Sequence, residues 1–180
     1  MDETIETERL LLRPFVEADA PRVLQIHQLD EVIRWLGEQP YRPMADLDEA
    51  LAYVARWREI ATTMGPYDIG YAVEVKETGV LAGCAMIVPL PKAENEERQI
   101  GWYLHPDSTG RGYATEAARA VLDAVFAAGL DQVWCDMFPD NEPSAALARR
   151  LGLREIGLVD DPWYGDRALL FHSTAEEWLS

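Results

Sequence analysis

Apolar and polar positions change period several times along the chain, and each change predicts an element. Leu10 and Leu12 alternate with Arg9, Leu11 and Arg13, which is the two-residue period of a strand, and Pro14 ends it. Asp19-Ala-Pro21 reads as a helix start, with Asp as the cap and proline in the first turn. Val23, Leu24 and Ile26 follow, and His27 near the end reads as an ordinary helix residue. Asp30 to Leu36 is a shorter helical piece, and Gly37, Pro40 and Pro43 make a loop. From Asp46 to Met64, Leu47, Leu51, Val54, Trp57 and Ala61 share one helical face, and Gly65-Pro66 stops the helix. Ile69 to Val75 and Val80 to Val88 read as strands joined by the hairpin signal Lys76-Glu-Thr-Gly79. Pro89 and Pro91 close the second strand, and Lys92 to Glu97 is a polar loop.

The second half repeats the same vocabulary. Ile100 to Leu104 is an apolar, aromatic strand bounded by Pro106, and Ser108 to Gly112 is a turn of small residues. Ala114, Ala117, Ala118, Val121, Leu122, Val125 and Phe126 then recur at helical spacing, up to Gly129. In the strand Gln132 to Phe138, Val133, Cys135 and Met137 share one face and Trp134, Asp136 and Phe138 the other. Asn141 or Glu142 caps a helix with Pro143 in its first turn, and Gly152 ends it. Leu153 to Val159 and Arg167 to Phe171 pair through the loop Asp160 to Asp166. The order β, α, α, β, β, β, α, β, α, β, β, without repeat or linker, predicts a single α/β domain with a mixed sheet.

Composition narrows the class. A chain of 180 residues, 48% of them hydrophobic, suits one domain with a sizeable core. No apolar run approaches the ~18 residues of a membrane helix, and the acidic N-terminus lacks a signal-peptide pattern. Cys84 and Cys135 lie in strand-like runs and read as reduced core residues of a cytoplasmic protein, not as a disulfide or metal pair. The net charge of −16 argues against a nucleic-acid surface, and suits either solubility or attraction of a cationic amine.

Strand, glycine turn and helix start also have a chemical use. First-turn N–H groups lack intrahelical acceptors, and the helix dipole puts partial positive charge there. Gly110 and Gly112 allow a sharp turn close to a ligand, and Arg111 adds charge, so the turn suits a pyrophosphate. A bare Gly-x-Gly equally suits a plain connection. A Walker loop is a weak match because Tyr113 follows Gly112. A dinucleotide fingerprint is weak because Thr115 stands where a third small residue belongs.

Longer motifs are more specific. Pro106-x-x-x-Gly-Arg-Gly-Tyr-Ala-Thr-Glu-Ala117, after the Gly-Trp-Tyr-Leu strand, resembles the acetyl-CoA loop of the GCN5-related N-acetyltransferases. Asn141-Glu-Pro-Ser144 with Leu147 and Leu151-Gly-Leu153 resembles their second cofactor segment. Thr7-Glu-Arg-Leu-Leu-Leu-Arg-Pro-Phe15 resembles the opening strand of the branch that includes the ribosomal-protein alanine acetyltransferases. The resemblance spans about residues 5 to 178. It implies a mostly antiparallel mixed sheet with a splayed parallel pair, helices on both faces, and a single acetyltransferase domain.

The resemblance also implies chemistry: direct transfer from acetyl-CoA to a primary amine, at a protein N-terminus or on a small molecule. No metal is implied, and a homodimer is compatible. Trp102, Tyr103, Leu104, Gly110, Arg111, Gly112, Tyr113, Ala114, Thr115, Asn141 and Ser144 are the implied cofactor residues. The N–H of Tyr103 or Leu104 would face the thioester oxygen, and Ser144 would serve the leaving sulfur. Arg119, Arg149 and Arg150 add charge near the two cofactor motifs. Gln99 stands where relatives often carry a Glu base, and no Tyr lies between Asn141 and Leu153. Glu97, if the strand reaches it, and Asp136 are the candidate bases. The same two departures motivate the alternative of a noncatalytic acyl-CoA-binding domain. Trp35, Tyr41 and Met44 could line the acceptor pocket or belong to the core. Trp163 and Tyr164 could form an acceptor wall or a hairpin tip. His105, just before Pro106, reads as a loop residue.

Overall fold

The computed structural model describes residues 4–36, 42–63, 65–93 and 97–180. Tyr41 lies outside these residues, as do Met64 and the middle of the polar loop before the fifth strand. The chain opens with two short strands, β1 (Ile5–Glu6) and β2 (Leu10–Arg13). Leu10 and Leu12 are fully buried, as their alternation requires. Three helices follow: α1 (Ala20–His27), α2 (Asp30–Ile33) and α3 (Leu47–Thr63). Asp19 does not cap α1. Its carboxylate accepts from both terminal nitrogens of Arg13 at 2.8 Å and from the Val16 N–H at 2.9 Å. For a buried acid, the charge-assisted pair outweighs a cap.

The remaining elements are β3 (Ile69–Val75), β4 (Val80–Pro89), β5 (Arg98–Leu104), α4 (Tyr113–Ala127), β6 (Gln132–Met137), α5 (Glu142–Leu151), β7 (Arg154–Asp160), β8 (Arg167–Thr174) and α6 (Ala175–Leu179). The eight strands form one sheet in the order β1-β2-β3-β4-β5-β6-β8-β7. Every neighbouring pair is antiparallel except β5 and β6, which run parallel and meet through one residue pair, Gln99 with Trp134. Past that pair the two strands part. The predicted mixed sheet with one splayed parallel pair is the observed one.

Each face of the sheet has its own core. On one face Leu12, Tyr71, Ile87, Ile100 and Val133 pack with Val121, Leu122 and Val125 of α4. On the other, Phe15, Ala72, Cys84 and Tyr103 pack with Val23, Ile26, Val54 and Trp57 of α1 and α3. The buried stripe of α3 is Ala50, Val54 and Trp57, which shares Val54 and Trp57 with the expected face. Leu51 is only partly buried, while Leu47 and Ala61, near the two ends of the helix, are exposed. The cysteines are free and lie in different cores.

Two elements were not expected. β1 is too short to show a period. α6 carries a capping box, in which Thr174 accepts from the Glu177 N–H at 3.1 Å and Glu177 accepts from the Thr174 N–H at 2.9 Å. Its Thr-x-x-Glu spacing was a readable signal.

β4 carries a bulge where Val73 pairs with Gly83 and Glu74 with Leu81. A Cβ on Gly83 would lie 2.0 Å from the Tyr103 carbonyl oxygen, a backbone atom that cannot rotate away. Gly83→Ala is therefore expected to destabilise the fold by about 3 kcal/mol. Denaturant unfolding reads this directly, and a loss under about 1 kcal/mol would mean that β5 shifts freely.

Candidate active site

A cleft of about 1280 Å³ opens where β5 and β6 part. Gly110, Gly112, Tyr113, Ala114 and Thr115 line one end, opposite Asn141, Ser144, Leu147 and Arg150. Trp102, Tyr103, Leu104, Met137 and Phe138 line the middle. Gln99, Asp136, Asp161 and Tyr164, with Glu31 and Trp35, line the other end. Sequence segments from four separate parts of the chain thus meet around one space.

The glycine turn has the geometry its residues suggested. Gly110 and Gly112 have φ of 72° and 80°, the left-handed region that favours glycine. Gly112 is the residue before α4, and the first helical bond runs from the Glu116 N–H to the Gly112 carbonyl at 3.0 Å. The N–H groups ahead of it have no intrahelical acceptor and gather at the cleft. The opening strand braces this turn. Glu116 accepts from the Thr7 hydroxyl at 2.6 Å, the Arg9 N–H at 2.9 Å and Arg9 Nε at 2.6 Å. Arg9 Nη1 donates to the Arg111 carbonyl at 2.8 Å. Arg111 itself is exposed and is not part of the cleft wall. Arg149 pairs with Glu155 and Arg119 lies over Trp178, so Arg150 is the arginine of the second motif that reaches the cleft.

Strand geometry decides between Tyr103 and Leu104. The Glu97 carbonyl accepts from Leu90 at 2.9 Å, and the His105 N–H donates to Ala82 at 2.8 Å, both towards β4. Peptide groups alternate along a strand, so Tyr103 also faces β4, whereas Trp102 and Leu104 face β6 across the gap. Of the two N–H groups the sequence left open, that of Leu104 is the one on the gap side, and that of Tyr103 belongs to the ladder with β4. The Tyr103 side chain lies in the wall under α1 and α3, with the hydroxyl 2.6 Å from Tyr53 Oη and 3.2 Å from His27 Nε2. Burial pushes the His27 imidazole down to about 4 and raises the Tyr103 phenol, so this cluster is neutral near pH 7. His27 and Tyr53 both line the cleft, which the sequence reading missed. His27 falls four residues after buried Val23, and that spacing was the available signal.

Asn141 is buried and its Oδ1 accepts from the Ser144 N–H at 3.3 Å, which caps α5. The amide nitrogen of Asn141 is not used by that cap.

The acidic end sorts the candidates for a base. Glu97 precedes β5 and is not in the cleft wall. Gln99 Nε2 donates to the Tyr164 hydroxyl at 2.6 Å, across the mouth of the cleft. Asp136 lines the cleft, and its Oδ2 is buried without a hydrogen-bond partner. Burial first, then the neighbouring Asp161 carboxylate, pushes the Asp136 carboxyl up to about 7. Tyr164 and Trp35 line the cleft, and Met44 does not. Trp163 is buried in a small core with Leu90, Ala168 and Leu170, so of the expected pair Tyr164 alone reaches the cleft. Among the described residues no cluster could hold a metal ion, and no helix is long and apolar enough to cross a membrane.

The mixed sheet parts over a glycine turn at a helix start, and the family match gives the class of this architecture as an acyltransferase. The acetyltransferase (GNAT) domain matches residues 9–154, and the chain belongs to this family. An uncharacterized N-acetyltransferase of Bacillus subtilis, YoaA, is 26% identical over 89% of this chain and 88% of its own. An FsC-acetyl coenzyme A-N(2)-transacetylase of Aspergillus fumigatus is 26% identical over 98% of this chain and 78% of its own. Among solved structures, RimJ of Mycobacterium smegmatis in complex with CoA-disulfide superposes with a TM-score of 0.77 at 24% identity. That match covers 95% of this chain and 84% of RimJ.

Proposed function

We propose that the protein transfers an acetyl group from acetyl-CoA directly to a primary amine, with both substrates held in the cleft at once. The observation that carries this reading is Asp136, an ionisable carboxyl with a buried, unpartnered oxygen on the wall facing the parted edge of β5. The donor end fits the rest of the molecule. Gly110, Gly112 and the first turn of α4 suit a pyrophosphate, and Arg150 adds positive charge beside it. The Trp102 and Leu104 peptide groups suit an extended amide-bearing arm, and the Asn141 amide nitrogen can donate to it.

Bound acetyl-CoA supplies an activated acyl carbon. The residues supply placement, which is worth several kcal/mol, up to ~7–11 in the best cases. The Leu104 N–H is the donor for charge that develops on the acyl oxygen. The Asp136 carboxylate takes the proton of the incoming ammonium, and a base titrating near the working pH suits that task. The Ser144 hydroxyl donates to the leaving sulfur. The acceptor is a protein N-terminus or a small amine, and the Gln99–Tyr164 bridge bounds its site.

Calorimetric titration with acetyl-CoA, with NADH as control, tests the donor site. Release of free CoA thiol over an amine panel, starting with peptides bearing free N-termini, tests transfer. Selective binding and steady release are expected; no heat with acetyl-CoA would overturn the reading. Glu116→Ala, which unties the opening strand from α4, is expected to weaken acetyl-CoA binding about tenfold through loss of the turn's bracing. Unchanged affinity would show that the turn keeps its shape unaided.

A further inference from the structure

The tip between β7 and β8 folds back over the sheet. β8 pairs with β6 through Trp134 with His172 and Asp136 with Leu170, so the tip leaves the sheet beyond Asp136. Yet Trp163 on the tip lies edge-on to Trp134, with ring centroids 5.2 Å apart. Ile100 and Val133 belong to the core under α4, so by strand alternation Gln99, Trp134 and Asp136 share the opposite face. The tip is built to stay there. Trp163 is buried with Leu90, Ala168 and Leu170. Asp161 Oδ1 accepts from the Trp163 N–H at 2.8 Å, the Asp161 N–H donates to the Asp166 carbonyl at 2.6 Å, and the Gly165 N–H donates to the Asp161 carbonyl at 3.2 Å. A buried anchor and three local bonds thus place Tyr164, the next residue. Its hydroxyl accepts from Gln99 Nε2 at 2.6 Å. Gln99 is the β5 residue that pairs with β6, so this bond crosses the fork at its root, on the face that carries Asp136. Volume points the same way. A pocket for one small molecule is roughly 300–1,000 Å³. The cleft of about 1280 Å³ has to hold donor and acceptor together, which leaves a space of small-molecule size for the acceptor.

We propose that Gln99 and Tyr164 are specificity residues: their hydrogen bond straps the root of the fork and restricts the acceptor to a compact primary amine, in preference to a polypeptide N-terminus. The inference rests on the reading of the cleft as an amine-acceptor site. The strap stands where a longer chain would run on past Gln99, and Trp163 keeps it from swinging aside. Selection works by excluding the larger competitor, not by added contacts to the smaller one.

Two measurements test it. The first is kcat/KM over compact amines and peptides bearing free N-termini, with alaninamide and an alanine-led hexapeptide as a pair that shares the reacting amine and differs in length. The wild type is expected to favour its best compact amine over every peptide by at least about tenfold, and Tyr164→Ala should narrow that ratio about tenfold. A loosened tip alone would slow both kinds of acceptor alike and leave the ratio in place. A wild type that prefers a peptide, or a ratio that Tyr164→Ala does not change, overturns the proposal. The second needs no turnover. Gln99→Ala and Tyr164→Phe, alone and together, form a double-mutant cycle in denaturant unfolding. Once one partner is gone, removing the other should cost less than it does alone; losses that simply add overturn the strap whatever the acceptor. If no amine releases CoA thiol, the transfer reading falls and the acceptor class with it, while the cycle still reads the strap by itself.

Discussion

Gly112→Asp is expected to raise the dissociation constant for acetyl-CoA about 100-fold, ~3 kcal/mol, while the fold survives. At φ 80° any side chain costs about 1–2 kcal/mol of backbone strain. The fold can absorb that. The new Cβ would lie 3.4 Å from Arg9 Nη2, the end of a flexible side chain, and a carboxylate at a helix start is itself favourable. The ligand gains nothing from either effect. The carboxylate would occupy the donors meant for the pyrophosphate and repel its charge. Gly152→Asp is the matched control, since Gly152 has φ 85° with nothing within 4 Å of a Cβ and lies at the far end of α5. It should lose stability and keep acetyl-CoA affinity. If folded Gly112→Asp binds like the wild type, the turn is a connection and not a phosphate site.

Asp136→Asn is expected to lower turnover by about 10²–10⁴-fold and to stabilise the protein at alkaline pH. The Asp136 carboxyl titrates at about 7 in the fold, against 3.8 in an exposed chain. Below pH 4 it is protonated in both states and its contribution is complete. As pH rises towards 7 the unfolded chain loses a proton that the folded chain keeps, so stability falls until the folded group also ionises. A gap of this size corresponds to ~4 kcal/mol at most, reduced to about 2 by partial solvent access. Asparagine carries no such penalty. The gain in Tm over wild type should therefore grow from pH 4 to 7 and then level off. A thermal series across that range, paired with thiol-release assays, separates the two claims. Full turnover in Asp136→Asn would place the base elsewhere, and no alkaline stabilisation would mean that the carboxylate is not strained.

What was legible in the chain was local. β3 runs from Ile69 to Val75 as its residues dictated, and Gly79, Gly129 and Gly152 sit at positive φ where turns and helix ends were expected. The three family motifs were readable because each is contiguous. Properties set by partners far along the chain were not. The buried stripe of α3 includes Ala50, which packs in the core with Val23, Ile26 and Ala72. Whether the Tyr103 or the Leu104 peptide faces the gap depends on the pairing of β5 with β4. Asp136 was legible as one of two candidate bases, but its raised titration comes first from burial and then from Asp161, both of which only the folded sheet supplies.

The two cores on opposite faces of the sheet divide the inheritance of this protein. The glycine turn rests on α4 and its core, while α1, α2 and α3, with a separate core, bring His27, Glu31 and Tyr53 to the cleft from the other face. On the proposed reading, exposed cleft residues of that second layer are where a lineage would change its amine while the turn that suits the pyrophosphate keeps its own support.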